Sequence, residues 1–467
     1  MSRSSLQLRA DAEQIWWAGV RAVLPERLVR EHVRVEGDLL QVGKEPIDLH
    51  SVRRIAIVGG GKAAGAMAAA LEDALGPDVL REKDVTGWVN VPADCIVPTQ
   101  RVHLHAARPA WVNEPRPEGV EGTQRMLELI GSLGKEDLCL CVIAGGGSAL
   151  MPAPVPEVSL GDKIRLTRLL SAAGADIHQL NTVRRSLSLV KGGGLARACR
   201  AGRLISLVIS DVLGDSLADI ASGPTVASST TANDALAVLS ELDLLDEPTL
   251  EPVARYLSRR AEQEDRGLAQ PEQIRTRVTN LVIGYNATAV SAAGDEAARL
   301  GYVPSTISSQ RGEGPAEEVG RHLAGMARHM SDNPGPDCLI SGGEPTVRLV
   351  DEAERGAGGR NQQLALAALT YLGDSSGIAL LAGGTDGEDG PTDAAGACVT
   401  EDVVDAAGRQ QLDPREFLRR NDAYRYFAAT GGLFLTGPTH TNVCDLRVVT
   451  IERESRVESQ EPEGGTP

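Results

Sequence analysis

Aromatic side chains are scarce: Phe, Tyr and Trp together make up 3% of the 467 residues. A core without them has to be aliphatic, and the 42% hydrophobic share, close to a globular average, is enough to build one. No apolar run approaches the ~20 residues of a membrane span, and the N-terminal stretch MSRSSLQLRADAEQIW lacks the apolar centre of a signal peptide. Cysteine is sparse and unpatterned. Cys95, Cys139, Cys141, Cys199, Cys338, Cys398 and Cys444 form no C-x-x-C pair, which argues against a disulfide framework or a zinc site and for buried thiols in a reducing, cytoplasmic location. A basic surplus is also missing: 64 acidic against 47 basic residues leave a net charge of −17, spread along the chain. Nucleic acid and anionic membrane are therefore poor partners, and an anionic ligand would need positive charge concentrated locally.

What the chain has is glycine, 51 residues of it, gathered where short apolar runs end. In IAIVGGGKAAGAMAAAL, Ile55 to Val58 reads as a strand, Gly59-Gly60-Gly61 as a turn, and Lys62 opens an alanine-rich helix. A helix start offers unpaired N–H groups and the positive end of the macrodipole, to which Lys62 adds a cation. Gly59, Gly61 and Ala64 also fit the dinucleotide pattern G-x-G-x-x-[G/A], and the P-loop pattern is not met. Two readings stand: an anion site, or a glycine turn that packs a helix close to a sheet. Leu138 to Ala144 is a second buried-strand run, ending in Gly145-Gly146-Gly147-Ser148, and Leu204 to Ile209 is a third, ending at Ser210-Asp211. Strand ends of this kind gather polar residues along one rim of an open α/β sheet, where such folds bind ligands. The strand Thr86 to Pro92 ends without the acidic residue that a dinucleotide-binding unit often places there for the ribose.

The opening residues Leu6 to Val29 have helical spacing, and the alanine-rich helix is expected to stop near Gly76-Pro77. A helical stretch from Gly161 to Leu195 carries Asn181, Arg184, Arg185 and Lys191, as a solvated helix face or an anion clamp. Mixed charge and prolines from Glu241 to Gln270 mark a domain junction. The second half restarts with a strand at Val278 to Ile283, so the expected domains are 8–262 and 275–453, with a polar, disordered tail over 455–467. In that half Gly358-Gly359-Arg360 opens another apolar helix, repeating the arrangement at Lys62, unless Arg360 is taken up by Asp351 or Glu354. Asp211, Asp215, Asp219, Asp386, Asp389 and Asp393 sit in glycine-rich loops, as Mg²⁺ ligands or as turn formers. Thr436, Thr439 and Asn442 can bond phosphate oxygens or cap their own loop.

Eight stretches, IAIVGGGKAAGAMA, VIAGGGSALMPAP, LNTVRRSLSLVKGGGLA, ISDVLGDSLADIASGPT, GGEPTV, GGRNQ, GGTDGEDGPTDAAGA and LTGPTHTNVCDL, occur in this order. Together they resemble the glycerate 2-kinase family, with an N-terminal DUF4147 domain and a C-terminal MOFRL domain. The resemblance implies two α/β domains. The N-terminal one would be Rossmann-like with a mostly parallel sheet, the C-terminal one smaller, and the active site would lie in the cleft between them, assembled by closure. It implies an ATP-dependent, Mg²⁺-requiring (or other divalent cation) transfer to the 2-hydroxyl of D-glycerate or a related small hydroxy acid, by a monomer or homodimer. The family's essential lysine matches Lys62 and its essential arginine Arg360. Gly59, Gly60, Gly61, Gly145, Gly146, Gly147, Ser148, Asn181, Arg184, Lys191, Gly343, Glu344, Asn361, Thr385, Thr436, Thr439 and Asn442 fall in its motifs as ligand contacts, and Asp211 and Asp386 as metal ligands. The chain departs from the pattern at Ala107 to Glu114, Ser228, Gln363 and His440, which leaves the acceptor open. Two rival readings remain: an NAD(P)H-dependent hydroxypyruvate reductase, and an inactive hydroxy-acid or nucleotide-binding relative.

Overall fold

A computed structural model of the chain describes residues 3–110, 112, 114–268, 273–373 and 376–452. Trp111 and Asn113, and the tail 455–467 expected to be disordered, lie outside the described residues. The fold class is α/β, in two compact units. One comprises Val20–Ala289 with Pro438–Cys444, and the rest of the described chain forms the other.

The larger unit begins with a small antiparallel meander of β1 (Val33–Glu36), β2 (Leu39–Val42) and β3 (Glu45–Asp48). Its main sheet uses β4 (Ile55–Gly60), β5 (Thr86–Pro92), β6 (Val102–Arg108), β7 (Leu138–Ile143), β8 (Arg203–Ile209) and β9 (Arg277–Gly284). All five pairings are parallel, in the order β6-β5-β4-β7-β8-β9. Every residue of β4 and β7 is buried, as expected where both sheet faces are covered. The period of two divides β4 between two cores. Ile55 and Ile57 join Met67 and Leu71 of the helix Ala64–Glu82, while Ala56 and Val58 join Met126 and Ile130 of the helix Pro117–Gly131. The chain runs outward from β4 through β5 to β6, and outward from β7 through β8 to β9. The strand order therefore reverses between β4 and β7, opening a crevice at their carboxyl ends.

The smaller unit carries a mixed sheet of β10 (Pro304–Ser308), β11 (Cys338–Gly343), β12 (Ile378–Gly384), β13 (Gly396–Val399), β14 (Leu433–Phe434) and β15 (Asp445–Ile451). Its order is β10-β11-β15-β12-β13-β14, with only the β10–β11 pair parallel. The helices Ala316–Asp332 and Arg360–Leu372 close a mainly aliphatic core over it, to which Tyr426 and Phe427 add aromatic rings. No helix among the described residues is long and apolar enough to cross a membrane.

Four local expectations differ from what is found. The opening helix is two, Ser5–Ala22 and Pro25–His32, because the residue before a proline is driven out of the helical region: Leu24 has φ −65 and ψ 137. The alanine-rich helix kinks at Gly76 and runs on to Glu82. The expected junction contains the helix Glu251–Asp265, whose Val253, Leu257 and Ala261 pack with Ala235 and Leu239. The strand taken as the start of the second domain is β9, the edge of the first sheet, so the division falls after Ala289.

Candidate active site

The first two glycine stretches meet at the crevice between β4 and β7. Gly59 and Gly60 complete β4, and Gly59 has φ 145 with no room for a side chain, since a Cβ there would stand 1.9 Å from Val142 O. The amide of Gly61 donates to Asn90 O (3.2 Å) and that of Lys62 to Gly145 O (2.8 Å). These N–H groups are spent on tying the first turn to β5 and to the second turn, so the glycines of the first turn serve close packing and it is the side chain of Lys62, not its backbone, that bears on a ligand. It lies beside the second turn: a Cβ on Gly146 would be 3.7 Å from Lys62 Cγ and 3.8 Å from Arg108 Nη2. Around Gly145 the turn is hemmed in by Asp211 and Asn442, each 2.6 Å from where a Cβ would stand. Asp211 Oδ2 accepts the amide of Gly146 at 3.3 Å.

Next to this turn is a cavity of about 370 Å³ whose walls include Ser148, Lys163, Asn181, Arg184, Lys191 and Ser222. Lys163 projects from the helix Leu160–Ala172, whose start is fixed by a capping box between Ser159 and Asp162. Arg184 and Asn181 come from the helix Ile177–Ser186, capped in the same manner by Asp176 and Gln179. Lys163 and Lys191 are buried. Lys163 Nζ donates to Leu187 O (3.0 Å), and Lys191 Nζ reaches Ser148 O (3.0 Å), Ser148 Oγ and Ser222 Oγ (3.4 Å). Among the described residues neither lysine is ion-paired to a carboxylate, nor is Arg184. Arg185 is different, since it pairs with Asp219 at 3.0 Å. Burial, with Arg184 as a neighbouring charge, pushes Lys163 down to about 8. Burial first, then Lys163, Arg184 and Arg185, push Lys191 well below the usual ammonium range. A buried cluster of like charge is costly unless an anion completes it.

In the smaller unit Arg360 does begin a helix, but its charge is already matched. Its Nε and Nη2 donate to the two oxygens of Asp445 (2.8 and 3.0 Å), and its Nη1 to Glu344 Oε1 (2.9 Å). The partners expected from the sequence, Asp351 and Glu354, are not the ones used. Asn361 Nδ2 also donates to Asp445 (3.0 Å), and the amides of Asn361 and Gln362 at the helix start are taken by Asp389 (2.9 and 2.8 Å). Burial raises the Asp389 carboxyl to about 7 against those bonds. The anion at this helix start is thus a protein carboxylate.

The sequence-predicted residues therefore fall into two groups. Lys62, Gly59 to Gly61, Gly145 to Ser148, Asn181, Arg184, Lys191, Asp211 and Asn442 come together in the larger unit. Arg360, Glu344 and Asn361 gather around Asp445 in the smaller one, where Asp386 Oδ1 accepts the amide of Glu388 (3.1 Å) and buried Thr385 precedes it. Gly343 closes β11, where a Cβ would strike the carboxylate of Glu313. Thr436 and Thr439 turn their hydroxyls to their own loops, onto Gly437 O (2.8 Å) and Thr441 O (3.5 Å). Among the described residues no three His, Cys, Asp or Glu side chains converge as a metal site. Lys163, Ser222, Arg108 and Asp445 were not singled out by the sequence as ligand contacts. Two departures have a local reason. Gln363, buried, donates to both Glu317 Oε1 and Leu418 O at 2.9 Å, which a glutamate could not do. Ser228 accepts the amide of Thr230 (3.1 Å), a turn an aspartate would also make.

Comparison with known proteins identifies the family. A model described as a domain of unknown function (DUF4147) matches residues 11–258, and the MOFRL family matches residues 337–445. The chain is 36% identical over 507 residues to a glycerate kinase of Danio rerio, covering 96% of this chain and 98% of that one. It is 38% identical over 403 residues to a putative hydroxypyruvate reductase of Agrobacterium vitis, covering 85% and 87%. The crystal structure of glycerate kinase from Thermotoga maritima superposes with a TM-score of 0.76 at 33% identity, covering 95% of this chain and 99% of that one. With both family models matched and relatives aligned along nearly its whole length, the chain belongs to the glycerate kinase family.

Proposed function

We propose that the protein transfers the γ-phosphoryl group of ATP to the 2-hydroxyl of D-glycerate, or of a closely related small hydroxy acid, giving 2-phosphoglycerate. The observation that carries this reading is the cavity beside the Gly145 to Ser148 turn, with Lys163, Arg184 and Lys191 on its walls and no carboxylate ion-paired to any of them. A small carboxylate is the complement it lacks, and Arg184 offers the planar fork that binds one in two places. Phosphoryl transfer asks a protein mainly for positioning and positive charge around a loose, charged transition state. Lys62 and Arg108, adjoining the turn, would take the transferring group. Arg360 would exchange Glu344, the more exposed of its two partners, for a phosphate oxygen while Asp445 keeps the guanidinium in plane. Relatives of this chain carry the name glycerate kinase, which favours the same acceptor.

Mg²⁺ takes one or two protein carboxylates and fills its remaining positions with phosphate oxygens and water. Asp211, at a strand end beside the turn, fits that modest demand, with Asp386 as the corresponding candidate in the smaller unit. The ion would neutralise charge on the triphosphate.

The reductase reading rests on the G-x-G-x-x-A spacing and on the name of two relatives. Against it, the amides of Gly61 and Lys62 are already bonded to backbone carbonyls. The end of β5, where a ribose-binding acid would stand, holds Asn90, buried and bonded to Gly119 O and Leu150 O. Two assays run side by side decide between them: ADP release with D-glycerate, and NADH loss with hydroxypyruvate. ADP release alone is expected, and NADH oxidation without ADP release would replace the kinase reading with the reductase.

A further inference from the structure

A second cavity, of about 520 Å³, adjoins the one beside Ser148 in the larger unit, and the two share Lys191 as a wall residue. The segment 187–192 stands between them. Towards the first cavity Lys191 Nζ goes to Ser148 O (3.0 Å) and Ser222 Oγ (3.4 Å), and Leu187 O receives Lys163 Nζ (3.0 Å). Towards the second the segment presents Ser188, Leu189 and Gly192. We infer that this second cavity is a binding site for a small organic phosphate, and that its occupation weakens binding of the acceptor acid in the first.

Charge sets the sign of the ligand. In a chain of net charge −17, the walls of this cavity carry Arg185, Lys191, Arg197 and Arg260 against the single acid Glu264. Lys191 turns its ammonium to the first cavity, which leaves three guanidinium groups. Glu264 is fully used: Oε1 accepts from Arg260 Nε and Oε2 from the amide of Ala232, both at 3.0 Å.

Donors are left over on the same walls. Arg185 spends Nη2 on Ala218 O (2.6 Å) and Asp219 Oδ1 (3.0 Å), and among the described residues its Nε and Nη1 have no acceptor, nor have the two terminal nitrogens of Arg260. Ser188, 8% exposed, accepts the amides of Val190 and Lys191 at 3.3 Å each, and among the described residues its own proton has no acceptor. A phosphate monoester presents three terminal oxygens to these three side chains, and its geometry suits the guanidinium fork. The remaining wall is apolar, made by Leu127, Val155, Leu189, Ala198 and the ring of Tyr256. That surface calls for a carbon skeleton on the phosphate.

The coupling has two physical sources. Anions on opposite sides of one short segment repel each other. An anion on Arg185 also draws the guanidinium from Asp219, whose carboxylate lines the first cavity and is then less neutralised. Each ligand therefore weakens the other by the same factor.

Phenyl phosphate, an aromatic body with one phosphate and no hydroxy acid, is the probe. Calorimetric titration of the full chain measures its affinity in wild type, Arg260→Ala, Leu189→Trp and Arg184→Ala. The first two variants alter side chains that are 34% and 44% exposed, so both are expected to fold. Losing the Arg260 donors, or filling the cavity from Leu189, is expected to weaken binding ~10-fold or more, whereas Arg184→Ala, on the wall of the first cavity, changes it less than about threefold. Saturating phenyl phosphate is expected to raise the wild-type KM for D-glycerate about threefold or more, and to leave that of Leu189→Trp unmoved. No binding in wild type, or binding that survives in both Arg260→Ala and Leu189→Trp, overturns the second site. A wild-type KM unmoved by the probe overturns the coupling. Only the KM measurement rests on the kinase reading: if wild type phosphorylates no hydroxy acid, that reading falls and the titration still decides the site.

Discussion

Replacing Lys163 by methionine is expected to make the ligand-free protein more stable at neutral pH and to remove that gain at high pH. The side chain is buried, and its charged form is disfavoured enough to bring it from 10.5 to about 8. That difference of ~2.5 units, at ~1.4 kcal/mol each, means that holding Lys163 as an ammonium costs ~3 kcal/mol. Methionine keeps the stem packed but forfeits the bond to Leu187 O, worth ~1 kcal/mol. The net gain below pH 8 is then ~2 kcal/mol, or a rise of ~4 to 8 °C in the melting temperature of a unit this size. The sign over pH follows from a folded value below the unfolded one: wild type recovers its stability as pH rises from about 8 towards 10.5, loses it as pH falls back over the same range, and changes no further below 8. By pH 10 the gap between the proteins should nearly close. Thermal or urea unfolding of both proteins at pH 6, 8 and 10 measures it, other titrations cancelling in the difference. A gap that is constant over this range, or a methionine variant less stable at pH 6, would refute the claim that the cavity stores uncompensated positive charge. D-glycerate at saturating concentration should stabilise wild type more than the variant, because the anion relieves what the mutation removes.

Two further perturbations probe the rest of the account. Lys62→Met should lower kcat/KM for D-glycerate ~10³-fold with an unchanged circular dichroism spectrum, since its backbone bond to Gly145 O survives while the side-chain charge beside Gly146 is lost. Near-normal activity would remove Lys62 from the site. Gln363→Glu should cost ~2 to 4 kcal/mol in urea unfolding at pH 7, because a second carboxylate would face Glu317 in a buried place and Leu418 O would lose its donor. The loss should shrink towards pH 4, and a variant as stable as wild type at pH 7 would contradict that reading of the hydrogen bonds.

The parallel sheet and its two glycine turns were legible because buried parallel strands are written as short continuous apolar runs with glycine at the carboxyl end. The use made of the turns was not. That Gly61 and Lys62 spend their amides on Asn90 and Gly145 depends on how closely β4 lies to its neighbours β5 and β7, which no local pattern states. Arg360 could be recognised at a helix start, but its partners are 85 and 16 positions away in the chain. Asp445 begins β15, the strand between β11 and β12, and follows a loop dense in polar residues that gives it no signal of its own. Lys163 shares a helix with Arg165 and Arg168, and nothing in their spacing says which is buried; only the packing against Leu187 does. β9 looks in the sequence like the start of a new domain for a related reason, since its pairing with β8 is made across an intervening helical segment. His440 sits at φ 60, the kind of backbone position where glycine is at ease, so a departure that looked functional in the sequence is at least a conformational one.

The central claim is the chemistry of the cavity beside Ser148. Incubating the protein with D-glycerate and ATP labelled in the γ-phosphoryl group, and locating the phosphorus in the product by nuclear magnetic resonance, tests it most directly. The account predicts phosphate on carbon 2 of glycerate, formed in step with ADP. Phosphate on carbon 3, or ADP released with no phosphorylated acid, would contradict it.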